Sequence, residues 1–152
     1  MMMLTRRSVL SGVALSVAVP SVLWAQKRAV FFATDSGAMA GFDTVAYFRD
    51  GRPMKGKPDI VVMWKGVAWR FVSQQNREAF EGNPRAFAPR FGGYCAYAMA
   101  HGQLSSADPA AWKIVDGRLY LTHSPEIERV WEANMADYIR KAETNWPDIL
   151  YR

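Results

Sequence analysis

The chain has 152 residues, half of them hydrophobic, with six Trp, six Tyr and eight Phe, and carries 19 basic against 14 acidic residues. That is enough for one domain with an aromatic core and too short for two. A single cysteine excludes an internal disulfide framework, and basic residues scattered along the chain exclude the concentrated face that nucleic acid requires.

Residues 1–25 read as an export signal rather than as part of the fold. Arg6-Arg7 forms a positive start, Val9–Trp24 is a moderately apolar run, and Ala25 precedes Gln26 as the expected cleavage point. The apolar run is interrupted by Ser11, Gly12, Ser16 and Pro20, too diluted for a membrane span of ~20 mostly apolar residues. The arginine pair resembles the twin-arginine route, which predicts a folded, soluble periplasmic protein. The mature domain, residues 26–152, keeps a net charge of +3, because both arginines leave with the signal and every acidic residue stays.

Ala29–Ala33 is a short apolar run with strand character. Asp43 is a good N-cap for a short helix running through Phe48. Asp59–Trp64 and Val67–Val72 flank Lys65-Gly66, which predicts a hairpin with a two-residue turn. Ser73 caps a helix over Gln74–Glu81, and Asn83-Pro84 starts a further turn of helix that Pro89 stops. Trp112–Val115 and Leu119–Leu121 flank Asp116-Gly117, a second hairpin. Ser124-Pro125 opens a C-terminal amphipathic helix whose apolar face is Ile127, Val130, Trp131, Met135, Tyr138 and Ile139. The expected fold is α+β, a single compact domain. In it one antiparallel sheet is built from the two hairpins, with short helices and the C-terminal helix packed across it.

The stretch Arg90–Gly102 (RFGGYCAYAMAHG) concentrates the soft donors of the chain: Cys95, Met99 and His101. Its alanines and the closing Gly102 favour a short helix from Tyr94 to about His101. On that helix Cys95 and Met99, four apart, share a face, while His101 lies roughly 120° around the axis. As a strand, residues 95, 97, 99 and 101 would instead share one face.

The order of motifs resembles the longer, exported branch of the YHS domain family. The matching residues are Gly41–Phe48, Trp69–Ser73, Asn83-Pro84 with Phe87-Ala88-Pro89, Gly92–Ala98, Asp108–Trp112, Val115–Leu121 and Asn145-Trp146-Pro147. The short YHS domains resemble metal-binding modules with cysteines in the segment that here reads Phe71–Asn76. In this chain Val72 and Asn76 stand where those modules tend to carry cysteine, so the resemblance implies the fold and not that metal site. It supplies no reaction.

Three readings of Cys95 follow. Free cysteine is among the most often buried residues and methionine fills core gaps, so the pair can be structural. Thiolate and thioether also select a soft ion, which makes Cys95 and Met99, completed by His101 or His123, a candidate Cu(I) site. A nucleophilic thiol would need His101 or His123 as base, oriented by Asp108 or Asp116. With so little acid–base material the expectation is a binding or accessory protein, not an independent enzyme, whose partner is a metal ion or an envelope protein.

Overall fold

The computed structural model describes residues 28–152, so the signal expected over residues 1–25 lies outside the described residues. Strand β1 (Ala33–Thr34) pairs antiparallel with β2 (Gly37–Ala38), and a 3-10 turn (Met39–Gly41) leads into α1 (Thr44–Arg49). The first hairpin is β3 (Lys57–Trp64) and β4 (Val67–Phe71), followed by α2 (Gln74–Gly82) and α3 (Pro84–Phe87). A 3-10 turn (Arg90–Gly93) enters α4 (Ala96–Ala100), and the second hairpin is β5 (Trp112–Val115) with β6 (Arg118–Leu121). The chain closes with α5 (Pro125–Glu132), α6 (Met135–Asn145) and a 3-10 turn at Asp148–Tyr151.

The fold is α+β, and both hairpins form where their turn residues place them. Lys65 and Gly66 take φ of 53° and 77°, and Asp116 and Gly117 take 50° and 71°, the left-handed pairs that match the twist of a two-residue hairpin. The helix caps also act as their residues require. Ser73 Oγ accepts from the Asn76 N–H at 3.1 Å and Ser124 Oγ from the Ile127 N–H at 3.3 Å.

Three expectations are corrected. The hairpins do not merge into one sheet; each is a separate two-stranded sheet, with β1–β2 a third. The physical reason lies at β6, where Cys95 forms a parallel bridge to Leu121 and so occupies the outer side of that strand. The C-terminal helix is two helices, broken at Ala133-Asn134, where Asn134 leaves helical geometry at φ −147° and ψ 47°. Breaking there leaves Trp131 fully buried while α6 lies against α4, where the Tyr97 and Tyr138 rings meet at 5.1 Å. Val130, expected on the apolar face, is exposed. The run Ala29–Ala33 contributes only its last residue to a strand. Its Phe32 N–H instead donates to the Gly92 carbonyl at 2.8 Å.

Strand β6 organises the core because it is buried on both sides. Leu119 and Leu121 point into one cluster with Val45, Tyr47, Trp69, Phe71 and Phe80. Tyr120, one residue out of phase, enters a second cluster with Phe91, Met99 and Trp131. Period-two alternation thus divides the interior into two apolar compartments with a shared wall. In the first compartment the Tyr47 hydroxyl donates to the Pro109 carbonyl at 2.8 Å. Burial, with Asp108 and Asp43 adding to it, raises the Tyr47 pKa above its ordinary value and holds the phenol neutral.

Candidate functional site

The central stretch is built on a left-handed turn. Phe91 and Gly92 take φ of 53° and 62°, and the chain then extends through Tyr94 into Cys95, the N-cap of α4. Cys95 Sγ accepts from the Ala98 N–H at 3.5 Å, which satisfies one of the donors a helix start leaves open. The far end closes as a Schellman motif. The Gln103 N–H donates to the Ala98 carbonyl and the Gly102 N–H to that of Met99, both at 3.0 Å, with Gly102 at φ 70°. The helix reading of this stretch is therefore the one the structure adopts, in a shorter form than expected.

Cys95, the N-cap, and Met99, one turn on, are joined by the bond from the Met99 N–H to the Cys95 carbonyl at 3.0 Å, and both are in the core, 1% and 0% exposed. Met99 is further fixed by Asn145, whose side-chain amide donates to its carbonyl at 2.9 Å. The two imidazoles are exposed and held by other groups. His101 Nδ1 lies 2.8 Å from the Tyr97 carbonyl, and its ring packs 4.4 Å from that of Tyr97. His123 Nδ1 lies 3.1 Å from the Ser106 carbonyl, with the Ser105 and Ser106 hydroxyls each at 3.3 Å. A carbonyl only accepts, so a bond at 2.8 Å has His101 Nδ1 as its donor, whereas the serine hydroxyls at His123 can donate or accept. Ser105 links His123 to Cys95, because its carbonyl takes the Cys95 N–H at 3.1 Å. Among the described residues no three His, Cys, Asp or Glu side chains are grouped to hold a metal ion.

A second centre is the one that sequence reasoning missed. Asp43, read as a cap, is completely buried and uses both carboxylate oxygens. Oδ1 accepts from the Val45 and Ala46 N–H groups at 2.8 and 3.2 Å, the cap that its position predicted. Oδ2 accepts from the Val72 N–H at 2.9 Å and from Asn76 Nδ2 at 2.8 Å. Asn76 Oδ1 in turn accepts from Arg49 at 3.3 Å, which passes the buried charge outward to a guanidinium. The Asn76 side-chain amide and the Val72 backbone N–H are thus both committed to one carboxylate. Such hydrogen-bond donors hold an anion and not a cation. The only signal in the sequence was Asn in a helix's first turn, where it reads as ordinary.

No family model, no curated protein and no solved structure matches the chain.

The geometry therefore supports few chemical roles for the central stretch. The Cys95 thiol has almost no solvent contact, and its sulfur is engaged at the start of α4 by the Ala98 N–H. Of the carboxylates considered as orienting groups, Asp116 sits at the turn of the second hairpin, and Asp108 Oδ1 caps its own loop by accepting from the Ala110 N–H at 2.8 Å. Neither is bonded to an imidazole. No described helix is long and apolar enough to cross a membrane.

Proposed function

We propose that this chain is an exported accessory domain of the YHS type, acting by binding rather than by catalysis, with Cys95 as a structural thiol. The observation that carries the reading is the Asp43 centre. Where the resemblance would set metal-binding cysteines, Val72 carries a side chain with no donor atom and the Asn76 amide is committed to a buried carboxylate. Burial of Cys95 and Met99 supports the same conclusion.

A second reading, a Cu(I) site formed by Cys95 and Met99 with His123 or His101, is favoured by the placing of the two sulfur residues one helical turn apart and by the Ser105 link to His123. One titration decides between them. The purified protein is titrated with Cu(I) against a competing chelator, beside Cys95→Ser and Met99→Leu. The structural reading predicts no stoichiometric site in any of the three, a thiol that reacts with a disulfide reagent only on unfolding, and a destabilised Cys95→Ser variant. A one-to-one site that vanishes in Cys95→Ser and weakens in Met99→Leu would replace it with the copper reading.

Export to the periplasm rests on Arg6-Arg7 and the apolar run that follows. Replacing both arginines with lysine is expected to leave uncleaved precursor in the cytoplasm, seen by fractionation and immunoblot. Unchanged processing would show that the pair does not direct the route.

A further inference from the structure

Around Arg85, on α3, three depressions run together and share their walls. The largest, about 350 Å³, is within the size range of a small-molecule site. Its apolar wall is made by Val30, Phe31, Trp64 and Trp146, and its cationic rim by Arg85 and Arg90. Val30 is 40% exposed, and both tryptophans are half-buried, so the wall presents uncovered apolar surface.

The charges on this rim are under-compensated. Arg85 is exposed and makes no hydrogen bond or ion pair with a described residue. Arg90 and Arg118 share one carboxylate, that of Glu143, at 3.4 and 3.9 Å, and Arg90 Nε is buried without a partner. Lys65 adds a further cation, 5.9 Å from the Trp64 ring centre. Asp116, at the far end, is the one carboxylate lining the three depressions. A planar guanidinium takes a carboxylate or phosphate through paired N–H donors, and a desolvated aromatic wall takes hydrocarbon.

We propose that this cleft is a binding site for a small organic anion, with a carboxylate or phosphate head on Arg85 and Arg90 and an apolar body against Trp64 and Trp146. An inorganic anion would leave the wall bare, and a neutral hydrocarbon would leave the guanidinium groups unanswered. The site shares Arg90 with the Arg90–Gly102 stretch but uses neither Cys95 nor Met99, and does not depend on whether copper binds there.

The test uses the full chain labelled with nitrogen-15 and follows the indole N–H signals. The probes are octanoate, octyl phosphate, octan-1-ol, octylammonium and inorganic phosphate. Octanoate or octyl phosphate should move the signals of Trp64 and Trp146 and leave those of the buried Trp69 and Trp131 in place. The tighter of the two names the head group. Octan-1-ol, octylammonium and inorganic phosphate should each bind at least about tenfold more weakly. Arg85→Gln should weaken the anionic probes about tenfold with no change in melting temperature, since the Arg85 side chain has no hydrogen-bond or ion-pair partner among the described residues to lose. Equal binding of octan-1-ol and octanoate, or an Arg85→Gln variant that binds as the parent does, would overturn the proposal. So would a Trp64 signal that no probe moves at about 1 mM, as when the chain's own residues 1–27 fill the cleft.

Discussion

Asp43→Ala is expected to cost the fold about 4 kcal/mol or more, because four buried or part-buried donors lose their acceptor at once and each is worth about 1–3 kcal/mol when stranded. Two of these donors start α1, one ends the first hairpin, and one is the Asn76 amide of α2. The substitution therefore loosens three elements together. On a domain stable by about 5–15 kcal/mol, such a loss removes a large share of the total. At roughly 4 °C per kcal/mol the melting temperature should fall by about 15 °C. Asp43→Asn should be milder, near half that loss. Its one carbonyl oxygen still caps α1, but its amide then confronts the Val72 N–H and the Asn76 amide. Thermal unfolding followed by circular dichroism ranks the three proteins. A loss below about 1 kcal/mol in Asp43→Ala would show that solvent takes over the four donors and that Asp43 is only a cap.

Gly92→Ala is expected to be comparably severe for a different reason. A Cβ built at Gly92 would sit 1.9 Å from the Val30 carbonyl oxygen and 3.0 Å from the Trp146 ring, at a φ of 62° that an L side chain seldom adopts. The oxygen belongs to the backbone and cannot swing aside. The segment Val30–Phe32 would have to leave the turn and lose the bond from Phe32 to Gly92. Overpacking of this kind costs about 1–3 kcal/mol and the left-handed backbone about 1–2 more, so a total near 3–4 kcal/mol is expected. Gly66→Ala is the control. Its φ of 77° is as unfavourable, but no atom lies within 4 Å, so it should lose only about 1–2 kcal/mol. Urea unfolding of the two variants side by side separates the clash from the backbone cost. Equal losses would mean that the Val30 segment is loosely held.

What the sequence determined by itself was local. Turn pairs at Lys65-Gly66 and Asp116-Gly117 set both hairpins, because two successive left-handed residues leave the chain little choice but to reverse. Ser73, Ser124 and Asp43 set helix starts, and Gly102 the end of α4, through bonds reaching a few residues along the chain.

Tertiary structure decided everything that joins distant segments. Cys95 against β6, and not the first hairpin, bounds the second one, so one expected sheet became separate two-stranded sheets. The break at Asn134 answers to packing on both sides of it, which no periodicity in the helix itself records. Asp43 and Asn76 are 33 residues apart, and Arg85 and Trp146 farther still. Their meeting depends on which faces the two apolar compartments bury, and composition does not encode that. A cap residue, an ordinary helical Asn and scattered arginines each read as unremarkable alone. They become a buried charge centre and a cationic cleft only because β6, buried on both sides, pulls the segments that carry them around one wall.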